Sequence, residues 1–268
     1  MSAPLQPKEE EEEEEKISAT LKEKAKKEKK MSGPLQPKEE EEEETSATCR
    51  STLTDSRRTL AEVTFAGAHR ISTTVTHSGV AVAEWINETI QRCSRHYGVA
   101  GPRQRHAIGL EVACRPNGSI ALLQLCVGNR CLIYQLLHSY SDSYSYSDSD
   151  SDDDYPAGEL FSFFRDDRFC FVAAGVDEVV YRLRRAHSFL VRNTADLGEM
   201  AATRLGREDL RRAGLERLAR KVMGLKMDAL AEVQMSEWWQ RHLSRQQIAC
   251  ASVGAFISFE LGRILFEI

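Results

Sequence analysis

The chain has 268 residues, with 36 basic and 41 acidic side chains and a net charge of −5 at pH 7. Residues 1–50 and 139–155 contribute most of the acidic excess, and the remaining chain has 26 basic and 20 acidic residues. A charge of about +6 suits an anionic partner such as nucleic acid, but it excludes the dense basic face of a dedicated chromatin protein. Roughly 200 residues are enough for one domain.

Two segments are predicted to be disordered. The first is an acidic tail, residues 1–58, in which MSAPLQPKEEEEEE at 1–14 recurs as MSGPLQPKEEEEEE at 31–44. Because neither copy has an apolar face, the repeat does not indicate a solenoid. The second is a Ser/Asp/Tyr insertion at 139–155, whose composition cannot bury enough apolar surface to fold.

The cysteines and the apolar runs indicate where the protein resides. There are seven cysteines and no CxxC pair, and an odd count without a disulfide pattern favours a reducing compartment, the nucleus or the cytoplasm. The longest uncharged apolar run, residues 248–259, is too short to span a bilayer. We therefore expect a buried core helix and no membrane partner.

Ordered structure is predicted from about residue 60. Residues 70–79 alternate like an edge strand, and 80–93 place apolar residues at helical spacing. Three strands follow at 108–114, 120–127 and 131–137. The sequences RPNG and GNR between them favour tight hairpins.

The second half alternates helices and strands. The patterns predict a helix at 159–165, a strand at 169–174, a helix at 177–187, a strand at 189–193, and helices at 197–205 and 215–223. A last helix begins after Ser244, with Gln247 as its capping-box partner. We therefore expect an α/β domain over 60–268, in which helices flank a mixed five-stranded sheet and an extra strand and helix come first.

Four blocks of the sequence carry a family resemblance. They are GLEVACRPNGSIALLQLCVGNRCLIYQLLH, FVAAGVDEVVYRL, GLERLARKVMGLKM and LSRQQIACASVGAFISFELGRIL. Their order and spacing resemble the Werner-type 3'-5' exonuclease domain, of the DnaQ-like group of the RNase H-like fold, and the plant members most of all. The resemblance covers roughly residues 70–268, apart from the insertion.

The resemblance implies removal of nucleotides from 3' ends with two divalent metals, Mg²⁺ or Mn²⁺. Two cations about 4 Å apart stabilise the attacking and leaving oxygens together, and carboxylates hold them because such ions prefer oxygen ligands. The family supplies an Asp-x-Glu pair on the first strand and a third acid at the start of the helix after the fourth strand. The fourth acid lies in a Tyr-x-x-x-Asp pattern on the last helix.

This chain departs from that pattern at four of the five positions. Glu111 stands at the first acid, but Ala113 stands at the second, Val179 at the third, Cys250 at the tyrosine and Gly254 at the last Asp. Glu111 is therefore the one candidate metal ligand and catalytic acid. The nearby acids Asp177, Glu178 and Glu260 are not expected on the required face. One carboxylate cannot hold two cations, so we expect no metal cofactor.

Basic residues on the later helices are candidates for phosphate contact. They are Arg182, Arg185, Arg212, Arg220 and Lys221. The alternative is a solvated helix face in which arginines pair with Asp209 and Glu216.

Three functions remain open at this point. The first is a catalytically degenerate exonuclease-like protein that binds nucleic acid, as a single strand or a 3' end, or a partner. The second is a working Mg²⁺- or Mn²⁺-dependent 3'-5' exonuclease. The third is a protein-interaction module that pairs, for example, with an active homologue.

Overall fold

The computed structural model describes residues 46–55, 57–96, 105–139, 158–227, 233 and 236–267. They belong to a compact unit that spans Glu42–Ile268. The predicted tail up to residue 45 and nearly all of the predicted insertion at 139–155 lie outside the described residues.

The described chain forms one mixed sheet of eight strands, in the order β1-β2-β3-β6-β5-β4-β7-β8. The strands are β1 Ala47–Asp55, β2 Arg58–Phe65, β3 His69–Thr76, β4 His106–Cys114, β5 Ile120–Val127, β6 Arg130–Tyr134, β7 Phe169–Ala173 and β8 Thr194–Asp196. Two antiparallel meanders, β1-β2-β3 and β4-β5-β6, join where β3 runs parallel to β6. β7 is parallel to β4, and β8 is parallel to β7.

The α/β class and the mixed sheet are confirmed, but the predicted number of strands is wrong. Strands β4 to β8 provide the five expected strands, and three strands precede them where one was expected. The predicted tail 1–58 also extends too far, because β1 pairs with β2 from Ala47 opposite Phe65 onward. The β1 sequence, ATCRSTLTD, lacks apolar alternation, and β1 is held at the sheet edge by its ladder to β2.

The last strand is displaced from its predicted position. Residues 189–193 were expected to form it, but the strand is Thr194–Asp196. Phe189 and Val191 are buried, so their apolar side chains reflect packing rather than membership of the sheet. Asn193 provides the connection, since its carbonyl oxygen accepts a hydrogen bond of 2.8 Å from the backbone N–H of Phe171.

Helices cover both faces of the sheet. They are α1 Gly79–His96, α2 Gly158–Phe163, α3 Val176–His187, α4 Leu197–Leu205, α5 Leu215–Leu218 and α6 Arg245–Glu267; a π-helical turn, Ala219–Met223, continues α5. The core between α1, α2, α3 and the sheet contains a cluster of phenylalanines, and α4, α5 and α6 pack in the core on the opposite face. The predicted capping box is present: Ser244 N–H donates to Gln247 Oε1, and Gln247 N–H donates to Ser244 Oγ.

Helix α6 packs directly on strand β4. A Cβ atom on Gly109 would lie 2.1 Å from the carbonyl oxygen of Ala255 and 2.6 Å from the amide nitrogen of Phe259, so only glycine allows this approach. By length and composition α6 could cross a membrane, yet 78% of its most apolar window is buried inside the structure. The helix is therefore the central core element of this face.

Substitutions at two glycines should have opposite effects on stability. Gly109→Ala should lower the free energy of unfolding by at least ~2 kcal/mol, because the added methyl group meets backbone atoms of α6. Gly254→Ala, within α6, should raise it by ~0.5–1 kcal/mol through helix propensity. Its nearest neighbour would be Gln124 Oε1 at 4.0 Å. Urea denaturation of both variants tests this, and equal effects would contradict the proposed close approach.

Candidate functional site

A cavity of about 510 Å³ lies where the carboxyl end of β4 meets α6. It is lined by Glu111, Val112, Ala113, Cys114, Gln124, Ala174, Gly214, Leu215, Glu216, Met227, Trp238, Cys250, Ala251 and Gly254. Alternate residues of a strand share a face, so Glu111 and Ala113 both project toward α6. Gln124 of β5 is the register partner of Glu111. Four positions that the family resemblance singles out, 111, 113, 250 and 254, therefore line one cavity.

Helix α6 presents one face to this cavity. Positions 250, 254 and 258 are spaced by four residues and lie above one another on the helix. Ser258, which is fully buried, donates a hydrogen bond of 2.5 Å from its hydroxyl group to Glu111 Oε1. The one remaining acid of the expected set is thus held by the helix that carries the fourth acid in the family.

The carboxyl group of Glu111 has an altered pKa. Burial raises the pKa of Glu111 from its ordinary value of 4.5 to about 7, although the hydrogen bond from Ser258 lowers it. Loss of hydration disfavours the charged form, and no positive group compensates for that loss. Near neutral pH a large fraction of this side chain is therefore an uncharged acid, which is a poor ligand for Mg²⁺.

Glu216, the second carboxylate in the cavity lining, lies 3.6 Å from Arg220, and neither Cys250 nor Trp238 replaces a missing acid. Cys250 occupies the tyrosine position, and burial raises the pKa of its thiol to about 11, so it is neither a thiolate ligand nor a nucleophile at neutral pH. Trp238 is buried at the cavity wall. Its segment is held by Gln135, whose side-chain amide donates to the carbonyl oxygens of Gln240 and Arg241.

The third acid position lies apart from the other four. Val179, on α3, is buried in the core on the opposite face of the sheet and is not among the residues that line the cavity. From the connection between β7 and α3, Ala174 is the residue that reaches the cavity.

A two-metal centre does not fit these residues. Within the described residues, no group of three or more His, Cys, Asp or Glu side chains is placed to hold a metal ion. Asp177 and Glu178 line a neighbouring cavity, and Glu260 is paired with Arg263 at 2.8 Å. Hard divalent cations need several oxygen ligands, and Glu111 supplies the one carboxylate of the expected set.

Asp196 fixes the geometry of the neighbouring cavity. Its Oδ1 accepts hydrogen bonds from the N–H groups of Gly198 and Glu199 at the start of α4. Its Oδ2 accepts from the N–H groups of Gly175 and Val176 at the start of α3. One carboxylate therefore caps two helices. The backbone amides that could otherwise bind an anion in this cavity already donate to the Asp196 carboxylate.

The predicted phosphate-contact residues are only partly brought together. Arg182 donates to Glu178 at 2.6 Å and to Cys114 Sγ at 3.4 Å, which places it beside the cavity. Arg212 lines the neighbouring cavity, and Arg220 lies 3.6 Å from Glu216. Lys221 is exposed on the turn that follows α5. Arg185, also exposed, donates to the hydroxyl group of Tyr181 at 3.5 Å.

Sequence reasoning missed Ser258, which contacts Glu111, and two residues that line the cavity. Ser258 was detectable in principle, because it lies four residues beyond Gly254 on the same helix face. Gln124 could be placed only once the β4–β5 register was known. Trp238 was interpreted as a core residue; it is buried, but it also lines the cavity.

Comparisons with known proteins identify the fold. No family model and no curated protein matches the chain. Among solved structures, Escherichia coli RNase D, an exoribonuclease involved in structured RNA processing, superimposes with a TM-score of 0.52 at 15% identity, over 72% of this chain and 44% of that chain. Brucella melitensis NrnC with bound Mg²⁺ gives 0.48 at 12% identity, over 62% and 75%.

A third similar structure is the EXD2 exonuclease domain soaked in Mn and dGMP, with a TM-score of 0.38 at 18% identity, over 70% of this chain and 86% of that chain. At these identities the likeness to RNase D shows the fold. The expected RNase H-like fold is thereby confirmed, whereas the exonuclease family and the plant-type character remain predictions.

The raised pKa of Glu111 should make stability depend on pH. Because the folded-state pKa of about 7 exceeds the ordinary 4.5, the folded protein holds this proton more tightly than the unfolded chain. The favourable contribution of the protonated Glu111 carboxyl group to the free energy of unfolding is fully present below pH 4.5 and is lost as the pH rises to 7. Relative to Glu111→Gln, which cannot ionise, the wild-type free energy of unfolding should therefore fall by about 1–3 kcal/mol across that window.

Urea denaturation of both proteins between pH 4.5 and 8 measures this difference. Ser258→Ala should shift the decline to higher pH, since the serine hydrogen bond lowers the Glu111 pKa. A wild-type-minus-variant difference that does not change with pH would contradict the assignment.

Restoring two acids should create a metal site. Ala113 lines the cavity, and a side chain at Gly254 meets no atom closer than 4.0 Å. Ala113→Glu with Gly254→Asp should therefore bind Mn²⁺ at least ~10-fold more tightly than wild type, because three carboxylates then converge. Electron paramagnetic resonance titration measures free Mn²⁺ directly. The matched neutral variant, Ala113→Gln with Gly254→Asn, should behave like wild type, and equal binding by the two double variants would refute this.

Proposed function

We propose that this protein is a catalytically degenerate 3'-5' exonuclease-domain protein, which binds a nucleic-acid strand or 3' end without cleaving it. The observation that carries the proposal is the cavity around Glu111. It lies at positions that the sequence resemblance assigns to an exonuclease active site, but its one remaining expected acid is hydrogen-bonded to Ser258 and has a pKa of about 7.

The loss of the other acids is not explained by packing. Gly254 has room for a side chain, unlike Gly109 and Gly262 in the same interface, where a Cβ would lie within 3 Å of other atoms. Ala113 likewise borders open space in the cavity. Carboxylates could be accommodated at both positions, so their absence supports a function that does not need the metals.

Charge at the rim supports a strand-binding function. Arg182 lies beside the cavity around Glu111, Arg212 lines the neighbouring cavity, and Arg220 lies beside Glu216. Lys221, the next residue in the chain, is exposed. Their ion pairs are solvent-exposed and contribute little to stability, so phosphate oxygens can compete for them. Solved structures of NrnC contain bound Mg²⁺ or pGG. For this chain we propose the nucleotide contact without the metal.

The seven cysteines, all within the described residues, form no disulfide bonds, and this supports our proposal that the protein acts in the nucleus or cytoplasm. Several of the thiols are buried among apolar residues, where a cysteine behaves as a small apolar side chain.

An end-labelled single strand tests binding and cleavage in one reaction. The wild-type protein should shift a 12-nucleotide RNA or DNA in fluorescence anisotropy, with affinity that falls as salt rises. The strand should keep its full length on a sequencing gel in Mg²⁺ or Mn²⁺. Arg212→Ala with Lys221→Ala should reduce the log–log salt slope by about 1–2, whereas Arg204→Ala, an exposed arginine on α4, should not.

Two outcomes would change the proposal. Shortening of the strand that Glu111→Ala abolishes would establish an active enzyme. Absence of any salt-dependent binding, with co-purification of an active exonuclease homologue, would favour a protein-interaction module instead.

A further inference from the structure

A second cavity, of about 280 Å³, lies at the opposite end of β4 and is called the distal cavity here. It is lined by Thr89, Arg92, Cys93, Arg105, His106, Ala107, Val127, Gly128, Asn129, Arg130, Phe259, Arg263, Phe266 and Glu267. None of these residues lines the cavity around Glu111. Five residue steps along β4 separate His106 from Glu111, a distance of about 17 Å, so the two cavities are separate sites.

Four arginines from four different elements converge on the distal cavity. Arg92 belongs to α1, Arg105 immediately precedes β4, Arg130 begins β6 and Arg263 belongs to α6. Glu267 is the one acid in the lining. Three carboxylates pair with two of these arginines, Glu88 with Arg130 and both Glu260 and Glu267 with Arg263. Four guanidinium groups against three carboxylates leave a positive potential that favours an anion.

Arg130 is held rigidly at this site. Its side chain is 14% exposed and pairs with Glu88 at 2.7 Å, while Nη1 donates to Thr89 Oγ1 at 3.0 Å. The guanidinium carbon also lies 5.4 Å from the centre of the Trp85 ring. A fixed guanidinium loses little conformational entropy when it binds a ligand.

Arg105 has donors to spare. Its Nε donates to the carbonyl oxygen of Asp167 at 3.3 Å, and neither terminal nitrogen makes a hydrogen bond to another residue in the described part of the chain. Two N–H groups on a planar guanidinium match the two oxygens of a carboxylate or phosphate group. Arg105 is therefore the residue that can accept an anionic group without breaking an existing ion pair.

Part of the remaining lining is apolar, beside the polar residues Thr89, His106 and Asn129. Ala107, Val127, Phe259 and Phe266 contribute hydrocarbon surface, and Phe266 is 38% exposed. The volume is at the lower end of ligand cavities, which suits one ring or two fused rings. A bare inorganic ion would leave this apolar surface in contact with water.

We propose that the distal cavity binds a small organic anion, whose carboxylate or phosphate group contacts Arg105 and Arg130 and whose flat apolar body packs against Val127 and Phe259. This inference is independent of the proposed function, because it involves no residue of the cavity around Glu111.

Isothermal titration calorimetry with the full chain tests it with three probes: 2-naphthoate, the uncharged 2-naphthalenemethanol and inorganic phosphate. We expect 2-naphthoate to bind with a Kd of roughly 0.1–1 mM, and the alcohol and phosphate each to bind at least 10-fold more weakly. Arg105→Gln should weaken 2-naphthoate by about 10-fold and leave the alcohol unchanged. Phe266→Ala should weaken both aromatic probes.

Two controls locate the binding. Arg184→Gln, an exposed arginine on α3, and Glu111→Gln should leave 2-naphthoate affinity within twofold of wild type. The proposal is overturned if the alcohol binds as tightly as the acid or if Arg105→Gln has no effect on binding. It is also overturned if Glu111→Gln weakens binding, because that result would assign the ligand to the cavity around Glu111. Thermal denaturation of each variant establishes that it is folded, which is expected at the exposed positions Arg105, Arg184 and Phe266.

Discussion

The contact between the backbones of α6 and β4 determines the arrangement of the whole α6 face. Gly109 allows the helix to approach until the carbonyl group of Ala255 and the amide group of Phe259 would touch any larger residue. This approach fixes both the height and the rotation of the helix above the strand. As a result Cys250, Gly254 and Ser258 lie over Glu111 and Ala113. A substitution that shifts the helix would separate these residues even if it left their charge unchanged.

That arrangement also explains how the fold is stable with one of the four expected acids. In a metal centre, cations offset the repulsion and lost hydration of clustered carboxylates. With one carboxylate left, a serine hydroxyl group and a proton are enough to satisfy it. The surrounding alanine, cysteine and glycine have no charge to compensate. If the protein acts as proposed, the interface needs no cation to offset charge repulsion at these positions.

Much of this structure follows from sequence patterns, with identifiable exceptions. The helices with strong apolar periodicity and the hairpins closed by RPNG and GNR occur where predicted, and so does the Ser244–Gln247 cap. Strand β1 could not be predicted because its residues are polar and its order comes from pairing with β2. Positions 111, 113, 250 and 254 were placed in one site by family resemblance, whereas the Ser258–Glu111 hydrogen bond depends on the helix rotation that Gly109 permits.

The same interface has a consequence for how the chain folds. Gly109 and Ala255 are 146 residues apart in sequence, so α6 reaches its place only after a long loop closes, which favours slow folding. Loop-closure entropy grows with the logarithm of length. Residues 139–155 lie within that span, and their 17 residues add only ~0.1 kcal/mol to the cost of closure. An acidic segment of this length can therefore be acquired or lost at that point in the chain almost without effect on the stability of the domain.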